Sequence, residues 1–416
     1  MLVRSNVMPW GAAALVALSV FTTGCAGQND DASAPKSRAS ASPPHGYVEG
    51  AQEKAEQQSR LLLNDPGTGD TRVLDLITGK AQKVSRRTGT TGLTTDGRLG
   101  YFHTSGGLHV LDGGAWTVDH GDHVHYYRAA VRDVGRLPGG PGTRVRSDAA
   151  VTTVTDEDGR ARIYRRAELE KGRAGSPRTL PDTQAGVVVP YAEHLLSLTS
   201  LTDNGQDAAR LAVYDRAGKR VASPDAVCED PRGDAVTRRG VVLGCADGAL
   251  LVRETDGAFT VQRIPYGEDV PEKERATAFR SRPGSDTLTA SAGERAVWVL
   301  DVTERTWTRV KTGPVVAANT AGEGSPLIVL QSDGSLHGYD ISTGKPLSKT
   351  KPLVTGAPEA ATDQSAGPVI EVDRSRAYLN DPQGKRVYEI DYNDNLRVAR
   401  TFDLDIEPAL MVETGR

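Results

Sequence analysis

Short stretches of alternating apolar and polar residues, each followed by a polar turn, recur along the chain from residue 61 onward. Alternation with a period of two gives a strand one buried face, and clusters of Asp, Gly, Asn and Thr form hairpin turns. The regular units are RVLDLITGK (72–80), LHVLDGGAW (108–116), LAVYDRAGK (211–219), AVWVLDVTE (296–304), LHGYDISTG (336–344) and VYEIDYND (387–394). Two less regular members are RIYR (162–165) and LLVRE (250–254).

The spacing of these units predicts one repeated architecture. The tetrapeptide LNDP precedes both the first and the last regular unit, at residues 63–66 and 379–382, an offset of 316 residues. Eight units make seven intervals, so the mean period is about 45 residues, which is typical of four-stranded propeller blades. We therefore predict an all-β fold with a single β-propeller over residues 61–416, eight blades being favoured and seven possible. A pair of β-sandwiches is the structural alternative, which a single period disfavours.

The N-terminal residues predict export from the cytoplasm. Arg4 precedes a short apolar run at residues 11–21, a pattern typical of a signal peptide over residues 1–24. The run ends in TTGC, which resembles the lipobox of bacterial lipoproteins and implies a lipid-anchored Cys25 at the extracytoplasmic face of the cell membrane. The alternative is an ordinary secretory signal with an incidental cysteine.

Two further segments precede the repeats. Residues 25–46 are rich in Ala, Ser, Asp and Pro and predict a flexible tether. Residues 47–60 are rich in Glu, Ala and Gln and predict a short leader, either helical or irregular.

Composition narrows the function classes. The 416 residues include 50 Lys+Arg and 54 Asp+Glu, a net charge of -4, which disfavours a nucleic-acid partner. Export to an oxidising compartment predicts a disulfide between Cys228 and Cys245; a two-thiolate metal site is the alternative, but no Cys or His lies between them.

The chain has no nucleophile elbow, zinc-protease motif or phosphate loop, so we expect a protein that is not an enzyme. We also expect a monomer.

Histidines are crowded in one segment, DHGDHVHYY at residues 119–127. In an extended chain, His123 and His125 share one face, roughly 6–7 Å apart at their origins. A turn at Gly121 could bring His120 back toward them, and Asp122 or Asp119 could ligate the ion or orient an imidazole. Neutral imidazoles with one carboxylate favour Zn²⁺, or Cu²⁺ by raw affinity, over hard cations. The alternative is a polar turn whose histidines bond to backbone groups. His45, at the end of the tether, is a second-choice metal ligand.

The same segment carries a family resemblance. The chain resembles the AztD-type extracytoplasmic zinc metallochaperones at HGYVEGA (45–51), TVDHGDHVHYY (117–127), GCADG (244–248), DAVTRRGVV (234–242), VWVLDVTERTW (297–307) and NTAGEG (319–324). The resemblance implies a propeller that hands zinc to the solute-binding protein of a zinc ABC importer. It also implies that His120, His123 and His125 are zinc ligands.

The chain departs from this family where further histidines are expected on later blades. Those places hold Arg146 and the pair Gln184 and Ala185. An arginine is always cationic and cannot ligate a metal, so the departure implies weaker zinc binding, binding by the local loop alone, or none. The second hypothesis is accordingly a metal-free scaffold for protein–protein interaction at the cell envelope. Retention of zinc by the purified protein separates the two.

Overall fold

Antiparallel strands make up most of the described chain. The computed structural model describes residues 46–119, 123–180, 186–201, 208–356 and 366–416. Those residues contain 35 strands, one α-helix (Arg166–Glu170) and one 3-10 turn (Glu272–Glu274). The all-β prediction is confirmed.

The strands are numbered in chain order. The first eighteen are β1 (Gln52–Lys54), β2 (Arg60–Asn64), β3 (Thr71–Asp75), β4 (Ala81–Val84), β5 (Thr90–Thr95), β6 (Leu99–Thr104), β7 (Gly107–Asp112), β8 (Ala115–Asp119), β9 (Val124–Arg128), β10 (Arg132–Leu137), β11 (Arg144–Ser147), β12 (Val151–Thr155), β13 (Ala161–Arg165), β14 (Arg178–Leu180), β15 (Val188–Tyr191), β16 (His194–Ser200), β17 (Ala208–Asp215) and β18 (Arg220–Ala222). The others are β19 (Val227–Glu229), β20 (Asp234–Thr237), β21 (Gly240–Cys245), β22 (Gly248–Thr255), β23 (Ala258–Pro265), β24 (Thr287–Ser291), β25 (Ala296–Asp301), β26 (Thr306–Lys311), β27 (Val315–Thr320), β28 (Leu327–Gln331), β29 (Ser335–Tyr339), β30 (Pro346–Pro352), β31 (Ile370–Val372), β32 (Ala377–Asp381), β33 (Arg386–Asp391), β34 (Arg397–Asp403) and β35 (Leu410–Thr414).

These strands pair into sheets that succeed one another along the chain. In the described residues the successive sheets are β35-β2-β3-β4, β5-β6-β7-β10, β11-β12-β13-β14, β15-β16-β17-β18 with β19 on β17, β20-β21-β22-β23, β24-β25-β26, β27-β28-β29-β30 and β31-β32-β33-β34. The last strand, β35, completes the first sheet by pairing with β2, from Arg60 opposite Thr414 to Asn64 opposite Leu410. Pairing between the two ends of the repeat region closes the series.

The innermost strands surround a channel. A cavity of about 440 Å³ is lined by residues from β5, β11, β20, β27, β31 and β35 and from residues 277–281. Residues 277–281 are next to β24 on the side of the cavity. Arg280 pairs with Thr289 of β24 through an isolated bridge. One cavity bordered by strands from so many sheets of the series is the arrangement of propeller blades around an axis. The number of blades stays a prediction, since sheets are counted only in the described residues.

The repeated aspartates terminate strands by accepting hydrogen bonds from turn amides. The Oδ1 of Asp75 accepts from the amide of Thr78 at 2.9 Å, and that of Asp340 accepts from the amide of Thr343 at 2.7 Å. A short acidic side chain can replace the strand ladder in this way, which explains the Asp at the junction of strand and turn in these two units.

Adjacent sheets pack apolar faces against each other, and one interface carries a disulfide. Leu196 and Leu211 of one sheet pack with Val241 and Leu243 of the next in one buried cluster. Cys228 on β19 and Cys245 on β21 belong to the same cluster and form a disulfide with a Cα–Cα distance of 5.2 Å. The predicted cysteine pair therefore links two neighbouring sheets.

The leader differs from its helical prediction. Residues 46–59 contain no helix; β1 lies among them and pairs antiparallel with β9. Helix propensities differ by less than about 0.7 kcal/mol per ordinary residue, and the hydrogen bonds available at the edge of β9 outweigh them. The helical alternative is wrong. Among the described residues, no helix has the length and apolar character needed to cross a membrane.

Candidate metal-binding hairpin

The described residues of the histidine segment lie on a hairpin inserted into the second sheet of the series. Strands β8 and β9 lie between β7 and β10 in the chain and pair with each other rather than with that sheet. Together with β1 they form a separate three-stranded sheet, in the order β1-β9-β8. His123 comes directly before β9 and His125 lies within it, opposite Val118 on β8.

The two described histidines of this segment lie side by side. Their ring centroids are 5.0 Å apart and the ring planes meet at 83°. His123 is exposed, and the side chain of His125 is 22 % exposed. Alternation along the strand places both imidazoles on one face, as the spacing predicts. Water and ions can therefore reach them.

A carboxylate from the leader meets this histidine pair. The Oε1 of Glu53 on β1 lies 2.6 Å from the Nδ1 of His125. The register pairs Glu53 with Tyr127, which stacks against His125 at a centroid distance of 6.1 Å. Sequence reasoning missed Glu53, because it lies 72 residues away and nothing local distinguishes it from the other leader glutamates.

The opposite face of the hairpin covers a second cavity. Thr117, Asp119, Val124 and Tyr126 line a space of about 270 Å³ together with residues that lie outside the strands, Arg282, Gly284, Asp373, Arg374 and Arg416. Arg416 also borders the channel cavity, so the hairpin lies beside one mouth of the channel. The Oγ1 of Thr117 donates to the carbonyl of Gly415 at 2.8 Å, which fastens the hairpin there.

Cationic side chains hold the base of the hairpin. The Nη1 of Arg60 donates to the carbonyls of Gly113 and Ala129 at 2.5 and 3.3 Å, one on each side of the insertion. The guanidinium of Arg98 lies 3.6 Å from the ring centroid of Trp116, a cation–π contact. Because the buried side chains of Arg60 and Arg98 hold its base, the hairpin has a defined orientation on the propeller.

The remaining predicted ligands fall outside the described residues. His120, Asp122 and the second-choice His45 lie there, as do Cys25, Gln184 and Ala185. Within the described ranges no group of three or more His, Cys, Asp or Glu side chains is arranged to hold a metal ion. The described part of the hairpin thus presents two imidazoles, and Glu53 of the leader lies beside them.

Arg146 lies in the channel and not with the histidines. It lines the 440 Å³ cavity, whereas His123 and His125 are not among the lining residues. Its Nε and Nη2 donate to the two carboxylate oxygens of Asp234 at 2.6 and 2.8 Å. The guanidinium of Arg146 is therefore bound to a carboxylate of this chain.

Histidines elsewhere have structural partners. His103 is fully buried with its Nε2 2.9 Å from the Oγ1 of Thr94, and burial lowers its pKa to about 4. The Nε2 of His109 accepts from Arg136 at 2.8 Å. Both imidazoles are engaged by neighbouring side chains.

Comparisons with known proteins point to one relative. The chain is 23 % identical over 330 residues to the zinc chaperone AztD of Citrobacter koseri, which covers 78 % of this chain and 76 % of that protein. The structure of apo AztD from Citrobacter koseri superposes with a TM-score of 0.70 at 18 % identity, covering 86 % of this chain and 98 % of the other. A second crystal structure of Citrobacter koseri AztD gives 0.69 at 19 % identity with the same coverage.

A more distant likeness extends to another protein. Dihydro-heme d1 dehydrogenase NirN, solved in complex with DHE, gives a TM-score of 0.53 at 14 % identity, covering 87 % of this chain and 76 % of that one. No protein-family profile matches the chain. The resemblance to AztD-type zinc chaperones, stated from sequence motifs, is confirmed, and the propeller fold with it.

Proposed function

We propose, taking the likeness to AztD as the premise, that this protein is a zinc metallochaperone which binds Zn²⁺ on the β8–β9 hairpin. The observation that carries the proposal is the pair of solvent-accessible imidazoles, His123 and His125, held 5.0 Å apart on one face of a fixed hairpin. Two neutral imidazoles suit Zn²⁺, which takes nitrogen ligands at about 2.0–2.1 Å. His120 and Asp122, proposed from the sequence alone, would supply the other donors.

The position of this site suits transfer rather than storage. His123 is exposed and precedes β9, on a hairpin beside one mouth of the channel, so an acceptor protein can approach it directly. A closed cage of four protein ligands releases zinc slowly, whereas an open position admits an incoming ligand. We propose the solute-binding protein of a zinc ABC importer as the acceptor.

The lipid anchor is part of the same proposal. Acylation at Cys25 would hold the protein at the extracytoplasmic face of the cell membrane, where such an importer collects its zinc. Residues 25–46, with their flexible composition, would let the propeller reach its acceptor. Incorporation of radiolabelled palmitate tests the anchor. We expect the wild type to take up the label and Cys25→Ser to lose it.

Equilibrium dialysis of the purified mature protein against Zn²⁺ tests the metal role. We expect about one tightly held ion per chain in the wild type and loss of that ion in the variant with His120, His123 and His125 all replaced by Ala. His109→Ala is the matched control, because it removes a partly exposed imidazole from another strand. Unchanged zinc uptake by the triple variant would exclude this site. A wild type that retains no zinc would favour the metal-free scaffold.

A further inference from the structure

The contact between Glu53 and His125 joins the leader to the histidine pair. Glu53 is the middle residue of β1, and β1 pairs with β9 from Gln52 opposite Arg128 to Lys54 opposite Tyr126. This register puts Glu53 on the same face as His125, two residues from its direct partner. The result is the 2.6 Å approach of Oε1 to Nδ1.

The chemistry of the two groups determines which ring nitrogen carries the proton. An ionised carboxylate only accepts hydrogen bonds, so the Nδ1 of His125 must be the donor. In a neutral imidazole the lone pair then lies on Nε2, the nitrogen on the far side of the ring. A metal binds to that lone pair.

We propose that Glu53 is a positioning residue of the zinc site: its carboxylate holds His125 with the proton on Nδ1 and orients Nε2 as the ligand atom. This inference rests on the proposed function, since it concerns the same site. Carboxylates that accept from the second nitrogen of a metal-bound histidine fix the ring and raise its basicity, and their removal weakens metal binding by about 10–100-fold. Glu53 is 47 % exposed, so water weakens its influence and we expect about tenfold.

The arrangement makes zinc affinity depend on a segment that precedes the propeller strands. The leader is held by the three β1–β9 residue pairs and by the indole of Trp116, whose Nε1 donates to the carbonyl of Gly46 at 3.0 Å. Detachment of the leader would therefore remove the carboxylate from His125 while leaving the hairpin in place. The leader is a positioning element for the zinc site.

The test compares Glu53→Ala and Glu53→Gln with the wild type in the mature protein. Zinc affinity is measured by competition with a chromophoric chelator, and the tautomer of His125 is read from ¹⁵N NMR of the metal-free, histidine-labelled protein, with His125→Ala assigning the signal. We expect Glu53→Ala to bind zinc about tenfold more weakly and to lose the Nδ1–H preference. Glu53→Gln keeps an acceptor of the same shape without the charge, so its zinc affinity should lie between those of the wild type and Glu53→Ala. Glu56→Gln is the control and should match the wild type.

The outcomes separate this inference from the function on which it rests. If the wild type binds zinc and both Glu53 variants bind it equally well, only the role of Glu53 is wrong. A proton found on Nε2 of His125 in the metal-free wild type would also overturn that role. If the wild type binds no zinc, the proposed function fails and the role of Glu53 fails with it.

Discussion

Arg146 and Asp234 form a two-point ion pair inside the channel, with Nε–Oδ2 and Nη2–Oδ1 distances of 2.6 and 2.8 Å. Arg146 lies on β11 and Asp234 on β20, in sheets separated by another sheet along the chain. The Asp234 side chain is 1 % exposed, and Arg146 donates to both of its carboxylate oxygens. Arg146 thus connects distant parts of the ring.

Removal of this arginine should destabilise the fold. Arg146→Ala leaves a buried carboxylate without its guanidinium, and we expect the free energy of unfolding to fall by about 2–4 kcal/mol. Guanidinium chloride denaturation measures it. Arg160→Ala is the control, because the Arg160–Asp158 pair is more than half exposed on both sides and such pairs contribute about 0–1 kcal/mol. Equal effects of the two substitutions would contradict the structural role of Arg146.

The disulfide between Cys228 and Cys245 should stabilise the interface of its two sheets. It closes a loop of 17 residues, and loss of the constraint on the unfolded chain should cost roughly 3 kcal/mol in the double Ala variant. A reductant should lower the denaturation midpoint of the wild type toward that of the variant and leave the variant unchanged. If neither the reductant nor the double Ala substitution moved the denaturation midpoint, packing alone would hold this interface.

A buried carboxyl makes stability depend on pH. Burial, with repulsion from Asp373 and Glu371, raises the pKa of Glu413 to about 7 although Arg416 opposes the shift. The folded state holds this proton more tightly than the unfolded chain, whose glutamate ionises near pH 4.5. The stabilisation is therefore complete below about pH 4.5 and is lost as the pH rises through 7.

Glu413→Gln tests this dependence. The variant should match the wild type near pH 5 and exceed it in stability by up to about 3 kcal/mol above pH 7, because the amide needs no proton. In the wild type the Oγ of Ser59 donates to the Oε1 of Glu413 at 2.9 Å, and the amide oxygen of the glutamine can accept the same hydrogen bond. Thermal unfolding from pH 5 to 8.5 measures the difference. The exposed Glu304→Gln is the matched control, and a wild type and Glu413→Gln with parallel profiles would contradict the prediction.

Gly46 sets how the leader lies on the hairpin. Its φ is +74°, and an added Cβ would lie 2.3 Å from the Cγ2 of Val118. Gly46→Ala should therefore displace the leader from the hairpin and speed amide hydrogen exchange in β1. Gly50→Ala shares the positive φ of +85° but meets nothing within 4 Å, so it carries the backbone strain alone. Faster exchange in Gly46→Ala than in Gly50→Ala is the expected result, and equal exchange would contradict the contact with Val118.

Local patterns were sufficient for much of the fold. The alternating units become strands that end in aspartate-capped turns, as at Asp75 and Asp340, because both the pleat and the turn depend on neighbouring residues. The shared face of His123 and His125 follows from the same period of two. Their proposed partners His120 and Asp122 stay predictions, since they lie outside the described residues.

The leader shows where such reasoning stops. Its composition favoured a helix, yet it contains β1, because β9 offers hydrogen bonds that no local pattern reveals. Glu49, Glu53 and Glu56 are alike in sequence, and only the pairing register brings one of them to an imidazole.

The sequence by itself determined the repeat, the strand period, the cysteine pair and the histidine segment, because each depends on residue type and spacing along the chain. Only the tertiary structure decided that Glu53 meets His125 and that Asp234 neutralises Arg146. Both contacts join residues more than 70 positions apart. Strand register and ring closure, which are properties of the whole fold, create them.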